Sequence, residues 1–340
     1  MRILIGLFAA ILLLGCLGGG QPPAEVNNTT NQTNTTPPIH IIVGNQTNQT
    51  TTHNVTEPEP EPEPVEPKEL QYEYDPGAIM GIFFYNISGP DYHGDAVLVK
   101  KGDLDILFDA GPAEKAADMV DKLRSRGIDD IDVLVSTSAD PRKYGGIRTV
   151  ADNYKIEELW WAGSSQGDQE YAAIINDISG KVKTVRTVQR GFSAELDGIN
   201  FTALNPPAIM FDDRNNDAIV MRLVDRNFSA LLMSNVQKGA HQKLVSEQGS
   251  LIKNRVIMAP YYGVGEGTSD IGLFLISAKP EQMIITGSAD DSAANGGSRE
   301  PFIRLLDQYG IKWNATYTNG SIRVTTDGND YTVLSLGKGQ

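Results

Sequence analysis

The stretch LDILFDAGP, residues 104–112, decides the fold class of this chain. Residues 104–108 predict a buried strand, and Pro112 stands where a helix begins. Downstream, one apolar stripe at helical spacing predicts a helix that Gly127 ends; the stripe consists of Ala116, Met119, Val120 and Leu123. A strand followed at once by an amphipathic helix is a typical unit of α/β domains.

Strands and helices alternate on both sides of this stretch. Two tight-turn signals, Gly102-Asp103 and Asp197-Gly198, predict hairpins. The other predicted strands span residues 79–85, 96–100, 132–136, 158–161, 182–188, 192–196, 199–204, 218–224, 228–234, 255–259, 282–285, 313–317, 322–326 and 331–334. The other predicted helices span residues 147–154, 169–178, 240–248, 271–278 and 301–309. Two successive halves, each with hairpin, helix and strand, predict two packed sheets with helices outside, a four-layer αββα sandwich over residues 70–340.

The charge of the chain limits its partners. The net charge is −14 over 340 residues. Residues 1–69 hold seven acids and two bases, so residues 70–340 carry −9, and they are numerous enough to form one large core. A surface this acidic repels phosphate backbones, which argues against nucleic-acid binding through a broad basic face. A local basic pocket remains compatible with this charge.

The N-terminus has the pattern of a secretion signal with a lipid anchor, over residues 1–16. A basic start, Met1-Arg2, precedes an apolar run over residues 3–14. As a helix this run would rise only about 18 Å, too little for a bilayer core of about 30 Å, so we expect a signal peptide. The run ends in Leu13-Leu14-Gly15-Cys16, which resembles a lipobox. Lipidated Cys16 would hold the protein at the outer face of the cell membrane; the alternative is ordinary cleavage nearby and a free cysteine.

Residues 17–69 predict a disordered linker. Its Asn/Thr-rich part carries glycosylation sequons at Asn27, Asn28, Asn31, Asn34, Asn45, Asn48 and Asn54. Residues 57–67 alternate Glu and Pro, which predicts an extended and semi-rigid spacer. Such tethers resemble those of archaeal surface lipoproteins. Further sequons lie in the folded part, at Asn86, Asn200, Asn227, Asn314 and Asn319.

Six short segments of the folded part occur in a fixed order, and this order indicates a family resemblance. They are GDAVLV at 94–99, ILFDAG at 106–111, IDVLVS at 131–136, NNDAIVMRL at 215–223, LLMSN at 231–235 and APYYG at 259–263; Tyr309-Gly310 and residues 318–322 complete the series. In this order they resemble the metallo-β-lactamase superfamily, and in particular the C-terminal domain of the competence protein ComEC. The resemblance implies the four-layer fold and, in active members, hydrolysis at one or two metal ions.

The resemblance also implies where metal ligands would lie, and this chain departs from the family there. The ligand-motif positions hold Ser138, Asp140, Arg142 and Lys143. The metal-bridging aspartate position holds Asn235, two histidine positions hold Tyr261 and Tyr262, and a late motif position holds Glu300-Pro301. Together with the strand-end residue Asp109, we expect these side chains, apart from Glu300-Pro301, to line a vestigial pocket.

Composition leads to the same expectation without the resemblance. His40 and His53 lie in the linker, which leaves His93 and His241 in the folded part, and Cys16 is the only cysteine. Zinc hydrolases depend on imidazole or thiolate ligands that hold the metal and acidify its water. We therefore predict no cofactor, with zinc disfavoured, and expect Arg142 and Lys143 to place positive charge where the cation would sit.

These residues predict a pseudoenzyme that acts as a binding or envelope scaffold domain. Arg142 and Lys143 beside two tyrosines suit an anionic ligand such as a sugar acid, a phosphate or the carboxylate of a partner protein. The simpler alternative is that Arg142 pairs with Asp140 and only fills the vacant site.

Three further hypotheses remain open from the sequence. A ComEC-like hydrolase with a non-standard metal site could use an oxygen-only cation site from Asp109, Asp140 and either Asp290 or Asp291. A Ser–Lys hydrolase could use Ser138 and Lys143. Trp160-Trp161 predicts either a contact patch for a partner or packing within the core.

Overall fold

The structure is a computed structural model that describes Leu70 and residues 72–75, 77–265 and 271–337. The predicted signal peptide, the lipid anchor at Cys16 and the sequons of the linker lie outside these residues. Within the described part, no helix combines the length and the apolarity needed to cross a membrane.

The first strands and helices follow the predicted order closely. The strands are β1 Met80–Phe84, β2 Val97–Lys101, β3 Leu104–Phe108, β4 Ile131–Ser136, β5 Ile156–Trp161, β6 Thr184–Thr187, β7 Ser193–Leu196 and β8 Ile199–Asn205. The helices are α1 Ala116–Ser125, α2 Pro141–Tyr144, α3 Ile147–Asn153 and α4 Gln169–Ser179. Pro112 comes directly before a short 3-10 turn that leads into α1, as its position in the sequence predicts.

The second part of the chain continues the pattern. Its strands are β9 Val220–Asp225, β10 Phe228–Leu232, β11 Val256–Met258, β12 Gln282–Ile285, β13 Lys312–Ala315, β14 Ile322–Thr326 and β15 Tyr331–Ser335. Its helices are α5 Lys238–Gln248, α6 Ile271–Ala278, α7 Glu300–Gln308 and α8 Thr316–Asn319.

The strands form two mixed sheets. The first sheet has the order β15-β14-β1-β2-β3-β4-β5-β6, and the second has the order β13-β12-β11-β10-β9-β8-β7. The sequence pattern suggested that each half of the chain forms one sheet. The structure corrects this, because the two sheets do not coincide with the two halves. The last hairpin, β14–β15, returns to the first sheet, where β14 pairs antiparallel with β1.

Three apolar layers stack through the described part of the molecule. Inward-facing side chains of both sheets, such as Ile82 and Leu223, meet in the central layer. A second layer lies between the first sheet and the stripe of α1, and a third lies between the second sheet and α5, α6 and α7. Each fully buried Leu, Ile or Phe side chain contributes about 1.5–3 kcal/mol to folding. The predicted four-layer αββα sandwich is therefore confirmed.

Candidate functional site

The predicted pocket residues gather where strands of both sheets end. Asp109 follows β3, Ser138 follows β4, Asn235 follows β10, and the Tyr261-Tyr262 pair follows β11. In each sheet the two strands run parallel, so their carboxyl ends lie at the same edge. A contact of 2.6 Å between the hydroxyls of Thr137 and Ser234 joins the two edges.

Lys143 is the central side chain of this site. It lies in α2, and its side chain is 1% exposed. Its ammonium donates to Asp95 Oδ1 at 2.6 Å and lies 3.6 Å from Asp109 Oδ2. The other oxygen of Asp95 accepts from Thr286 Oγ1 at 2.8 Å. One buried cation is therefore bracketed by two buried carboxylates.

Asp109 connects this ion cluster to both sheets. Its two oxygens accept from the backbone N–H and the hydroxyl of Thr137, at 2.7 and 2.5 Å. The interior here is nearly full, because the cavity that borders Asp95, Asp109, Lys143 and Ser234 measures about 10 Å³. That volume holds one water molecule at most.

Asp140 forms a second ion pair beside the first. Its carboxylate accepts from the backbone N–H of Arg142 as the cap of α2, and also from that residue's Nε at 2.9 Å and Nη2 at 2.5 Å. Asn235 Nδ2 donates to the same carboxylate at 2.7 Å. This bidentate contact fixes the orientation of both the Asp140 carboxylate and the Arg142 guanidinium, since the two groups match in shape.

Two tyrosines close the outer side of the site. The Arg142 guanidinium lies 5.3 Å from the ring centre of Tyr261 and 5.2 Å from that of Tyr262, which are cation–π distances. Tyr262 is buried, whereas Tyr261 is half-buried and the Arg142 side chain is 21% exposed. Of the predicted pocket residues, Arg142 and Tyr261 are thus the two that reach the surface.

The backbone around the site adopts left-handed conformations at non-glycine residues. The φ angles are 58° at Asp109, 49° at Ser234, 44° at Tyr261 and 58° at Tyr262. Such conformations cost about 1–3 kcal/mol each and persist where the surrounding structure enforces them. They concentrate here at the ends of strands that would present functional groups.

A second polar layer lies behind Tyr262. The His93 ring lies 4.6 Å from the Tyr262 ring, accepts at Nδ1 from the Ser288 backbone N–H and faces the Asn295 carbonyl at 2.9 Å through Nε2. Arg299 donates to the carbonyls of Tyr262 and Ser288 and pairs with Asp291. Burial and the nearby Arg299 charge lower the pKa of His93 to about 4. His93 is therefore neutral and holds the loop in place.

The pKa values describe an ionised cluster. Burial alone lowers the pKa of Lys143, but Asp95 and Asp109 outweigh it, so the net shift is upward. Burial raises the pKa of Asp109 to about 6, against the effect of Lys143. Burial also acts to raise the pKa of Asp140, but the hydrogen bonds and charge of Arg142 prevail and lower it. At neutral pH both ion pairs are charged.

The structure brings most of the predicted pocket residues together. It contradicts two alternative hypotheses, the Ser–Lys hydrolase and the oxygen-only cation site. Ser138 is buried, but its hydroxyl has no hydrogen-bond partner within the described ranges, while the Lys143 ammonium is held by Asp95 and Asp109. The predicted Ser138–Lys143 pair is therefore wrong. A base must lose its proton, and the raised pKa of Lys143 opposes that as well.

The oxygen-only cation site is also wrong. Asp290 caps its own loop at Ser292, and Asp291 pairs with Arg299, so neither joins Asp109 and Asp140. Of the two tryptophans, Trp160 is 1% exposed and packs in the central core, and Trp161 packs against Tyr171. The structure thus favours core packing over a contact patch.

Sequence reasoning missed the role of Asp95, Thr137 and Thr286. Asp95 stood in a recognised segment, GDAVLV, but nothing local connects it with Lys143, 48 positions later. A buried carboxylate requires a partner, and a cation such as Lys143 in a predicted core is the one signal that could have paired them.

A metal ion does not fit the residues present. Within the described part of the chain, no group of three or more His, Cys, Asp or Glu side chains is placed to hold one. The carboxylates of Asp95, Asp109 and Asp140 already accept from cations and hydroxyls. Lys143 and Arg142 place positive charge directly beside these carboxylates, which repels a metal cation.

The arrangement of two sheets between helices, with the site at the shared strand ends, is that of a known fold. In its fold the protein is similar to metallo-β-lactamase-fold proteins. A metallo-β-lactamase-fold protein from Bacillus subtilis is 11% identical, over 73% of this chain and 100% of that one, with a TM-score of 0.47. A metallo hydrolase from the hyperthermophilic archaeon Ignicoccus hospitalis is 11% identical, over 72% and 98%, with a TM-score of 0.48.

One curated protein is similar to this chain at the level of sequence. ComE operon protein 3 of Bacillus subtilis is 20% identical over 201 residues, which cover 59% of this chain and 25% of that protein. The chain therefore spans about a quarter of that relative. No protein-family model matches the sequence.

Proposed function

We propose that the protein is a pseudoenzyme of the metallo-β-lactamase fold, anchored outside the cell membrane and acting as a binding or envelope scaffold domain. The Lys143 ammonium between Asp95 and Asp109 is the observation that carries this proposal. It supplies as a side chain the positive charge that hydrolases of this type take from a metal ion.

Electrostatic repulsion explains why a metal ion and the Lys143 ammonium cannot occupy this site together. Two unit charges 4 Å apart interact by roughly 4 kcal/mol at an effective dielectric constant near 20. A divalent ion placed beside both Lys143 and Arg142 would meet this repulsion several times over. The nearly filled interior around Asp109 leaves it no space either.

The surface of the pocket supports a binding role. Arg142 is partly exposed beside Tyr261, and this combination of guanidinium and aromatic ring suits an anionic group. Candidate ligands are a sugar acid, a phosphate, or a carboxylate of another envelope protein. Nucleic acid is not among the proposed partners, because the chain carries −14.

A ComEC-like metal-dependent hydrolase is the second candidate. The sequence similarity to ComE operon protein 3 supports it. The ion pairs of Lys143 and Arg142 weigh against it.

Metal analysis and a phosphodiesterase assay on one sample separate the two. The purified full-length protein is dialysed against trace zinc, manganese and magnesium, and bound metal is measured before the assay. We expect neither stoichiometric metal nor turnover. Stoichiometric metal with turnover that Asp140→Ala abolishes, and that Asp177→Ala on the surface of α4 leaves intact, would instead establish the hydrolase.

The binding role has its own test. Galacturonate and inorganic phosphate are titrated into the wild type, Arg142→Gln and the exposed control Arg148→Gln, with calorimetry as the readout. We expect at least one of the two ligands to bind, with loss of binding in Arg142→Gln alone. Absence of binding by both, together with no partner in a screen of envelope proteins, would contradict a binding domain.

The membrane anchor rests on the sequence around Cys16. Metabolic labelling with a radioactive fatty acid should mark the wild type and leave Cys16→Ser unlabelled. Equal label in both would show that the lipobox resemblance is misleading.

A further inference from the structure

A shallow cleft on the helix side of the first sheet lies away from the vestigial pocket. It is lined by Ile79, Gly81, Phe83, Lys100, Gly102, Arg323 and Thr325, and its volume is about 210 Å³. We call it the outer cleft. Gly81 forms part of its floor, and the Phe83 ring leans over this glycine, 2.8 Å from where a Cβ would stand.

Strand register explains why these residues meet. Gly81 of β1 pairs with Thr325 of β14 on one side and with Lys100 of β2 on the other. Phe83 lies two residues further along the same face, and its partner on β14 is Arg323. Residues paired across neighbouring strands share one face, so the side chains of Arg323 and Phe83 stand next to each other.

Arg126 adds a second guanidinium to this face. It follows the last residue of α1, and its guanidinium lies 5.0 Å from the centre of the Phe83 ring. Lys100 is paired with Asp105 at 2.9 Å, so its charge is balanced. Among the described residues, neither Arg126 nor Arg323 has a carboxylate partner within salt-bridge distance.

Several polar groups here lack partners. The Nε groups of Arg126 and Arg323 and the hydroxyl of Thr325 are enclosed, and none of them makes a hydrogen bond to a residue that the structure describes. Unpaired enclosed donors are uncommon in folded proteins, and an absent ligand is one explanation. The Arg126 guanidinium lies over the Phe83 ring, and Arg323 is the cross-strand partner of Phe83. Guanidinium groups are well suited to bind an oxyanion.

Apolar side chains flank the cationic face. Ile79 is 62% exposed at the cleft, and Leu334, the partner of Arg323 on β15, is 45% exposed. A simple inorganic anion would leave these groups in water, whereas a ligand with an apolar chain would cover them.

We propose that the outer cleft binds an oxyanion, such as a carboxylate or sulfate, carried on an apolar chain. Arg126 and Arg323 hold the oxyanion, and Ile79, Phe83 and Leu334 contact the chain. The site is independent of the vestigial pocket and of its proposed function. Because the protein is acidic overall, recognition depends on these local groups rather than on long-range attraction.

Arginine Nε–Hε signals in ¹⁵N-labelled full-length protein report on this site directly. Octanoate and sodium sulfate are titrated separately, with Arg148 of α3 and Arg304 of α7, both exposed and distant from the outer cleft, as internal references. We expect octanoate to shift Arg126 and Arg323 in a saturable manner while the references stay in place, and sulfate to act on the same signals more weakly. No shift, or equal shifts at all four arginines, would overturn the proposal.

Variants separate the charge from the shape of the cleft. Arg323→Gln should weaken octanoate binding roughly tenfold, and Arg148→Gln, the same change at an exposed position of α3, should leave it unaltered. Gly81→Val keeps both arginine charges but fills the floor of the cleft against Phe83, so it should abolish octanoate binding. Unchanged octanoate affinity in both Arg323→Gln and Gly81→Val would refute the site.

Discussion

The ammonium of Lys143 lies 2.6 Å from a carboxylate oxygen of Asp95, and both side chains are almost completely excluded from solvent. Asp109, at 3.6 Å, shares the same cation. A buried charge is tolerable only while its partner is present, because water no longer compensates it. Lys143 therefore stabilises the folded state by keeping both buried carboxylates paired.

Replacing Lys143 by methionine should therefore destabilise the protein strongly. Lys143→Met leaves Asp95 and Asp109 buried without a cation, and we expect a loss of about 3–5 kcal/mol in the free energy of unfolding. Denaturant titration measures it. Lys115→Met breaks an exposed pair with Asp118 and should cost less than about 1 kcal/mol. Equal losses in the two variants would contradict the role of the cluster.

Three buried carboxyls should each lower the stability of the protein as pH rises from about 4 to about 7. The lowered pKa values of buried His93 and His241 act in the opposite direction, so the carboxyl contribution is measured by comparing variants. Burial raises the pKa of Asp105 and of Asp132 to about 7, and that of Asp109 to about 6. Below the unfolded value these groups are protonated in both states and carry no penalty. As pH rises, the unfolded state releases its protons first, so ionisation increasingly favours unfolding.

Asp132→Asn should flatten this dependence. One Asp132 oxygen accepts from the Asp105 backbone N–H at 2.7 Å, and the other has no hydrogen-bond partner in the described part of the chain. An amide keeps the accepted bond without the buried charge. Melting temperatures between pH 4 and pH 8 test this. Asp118→Asn on exposed α1 is the control, and an unchanged slope in Asp132→Asn would count against the assignment.

The two adjacent tryptophans should differ in their contribution to stability. Trp160 packs edge-on against Phe192 and Phe201 in the central core and donates to Glu158. Trp160→Ala should cost about 3–5 kcal/mol, as large core truncations do. Half-buried Trp161 should cost less when replaced by alanine. Chemical denaturation compares the two, and the reverse order would revive a surface role for Trp160.

Glycans on the folded part should be found at Asn200 and Asn227. Both residues are exposed, in β8 and in the turn between β9 and β10. Asn314 and Asn319 are half-buried, and their side chains pack against Gln282 and the Ala315 backbone, so a glycan on the amide nitrogen has less room there. Glycopeptide mass spectrometry of protein from its native source decides this, and occupancy at Asn314 or Asn319 alone would contradict the prediction.

Local pattern predicted the elements of the fold well because each one is amphipathic or continuously apolar. The strand over residues 104–108, the helix over residues 271–278 and the strand over residues 282–285 have the predicted bounds. The four-residue helix α2 was missed, since it is too short to show periodicity, although Asp140 at its N-cap and Pro141 at its first position are a typical helix start. Partners distant in the chain, such as β1 and β14, leave no local trace.

The site was predictable in membership but not in pairing. Asp140 and Arg142 are two residues apart, and their pair was foreseen as one alternative. Lys143 lies next to Arg142 in the chain, yet its side chain points inward to Asp95. Asp95 lies just before β2, 48 positions earlier. Residue types set the charges of the pocket, and the packing of the sheets sets which charges meet.

The pairing of Met80 with Thr326 joins the first strand of the domain to one of its last. Ribosomes synthesise a protein from its N-terminus. The edge of β1 that pairs with β14 therefore stays unpaired until nearly the whole domain has been made. An unpaired strand edge recruits other chains into aggregates. Loss of the terminal hairpin by premature termination should therefore produce insoluble material rather than a shortened, working domain.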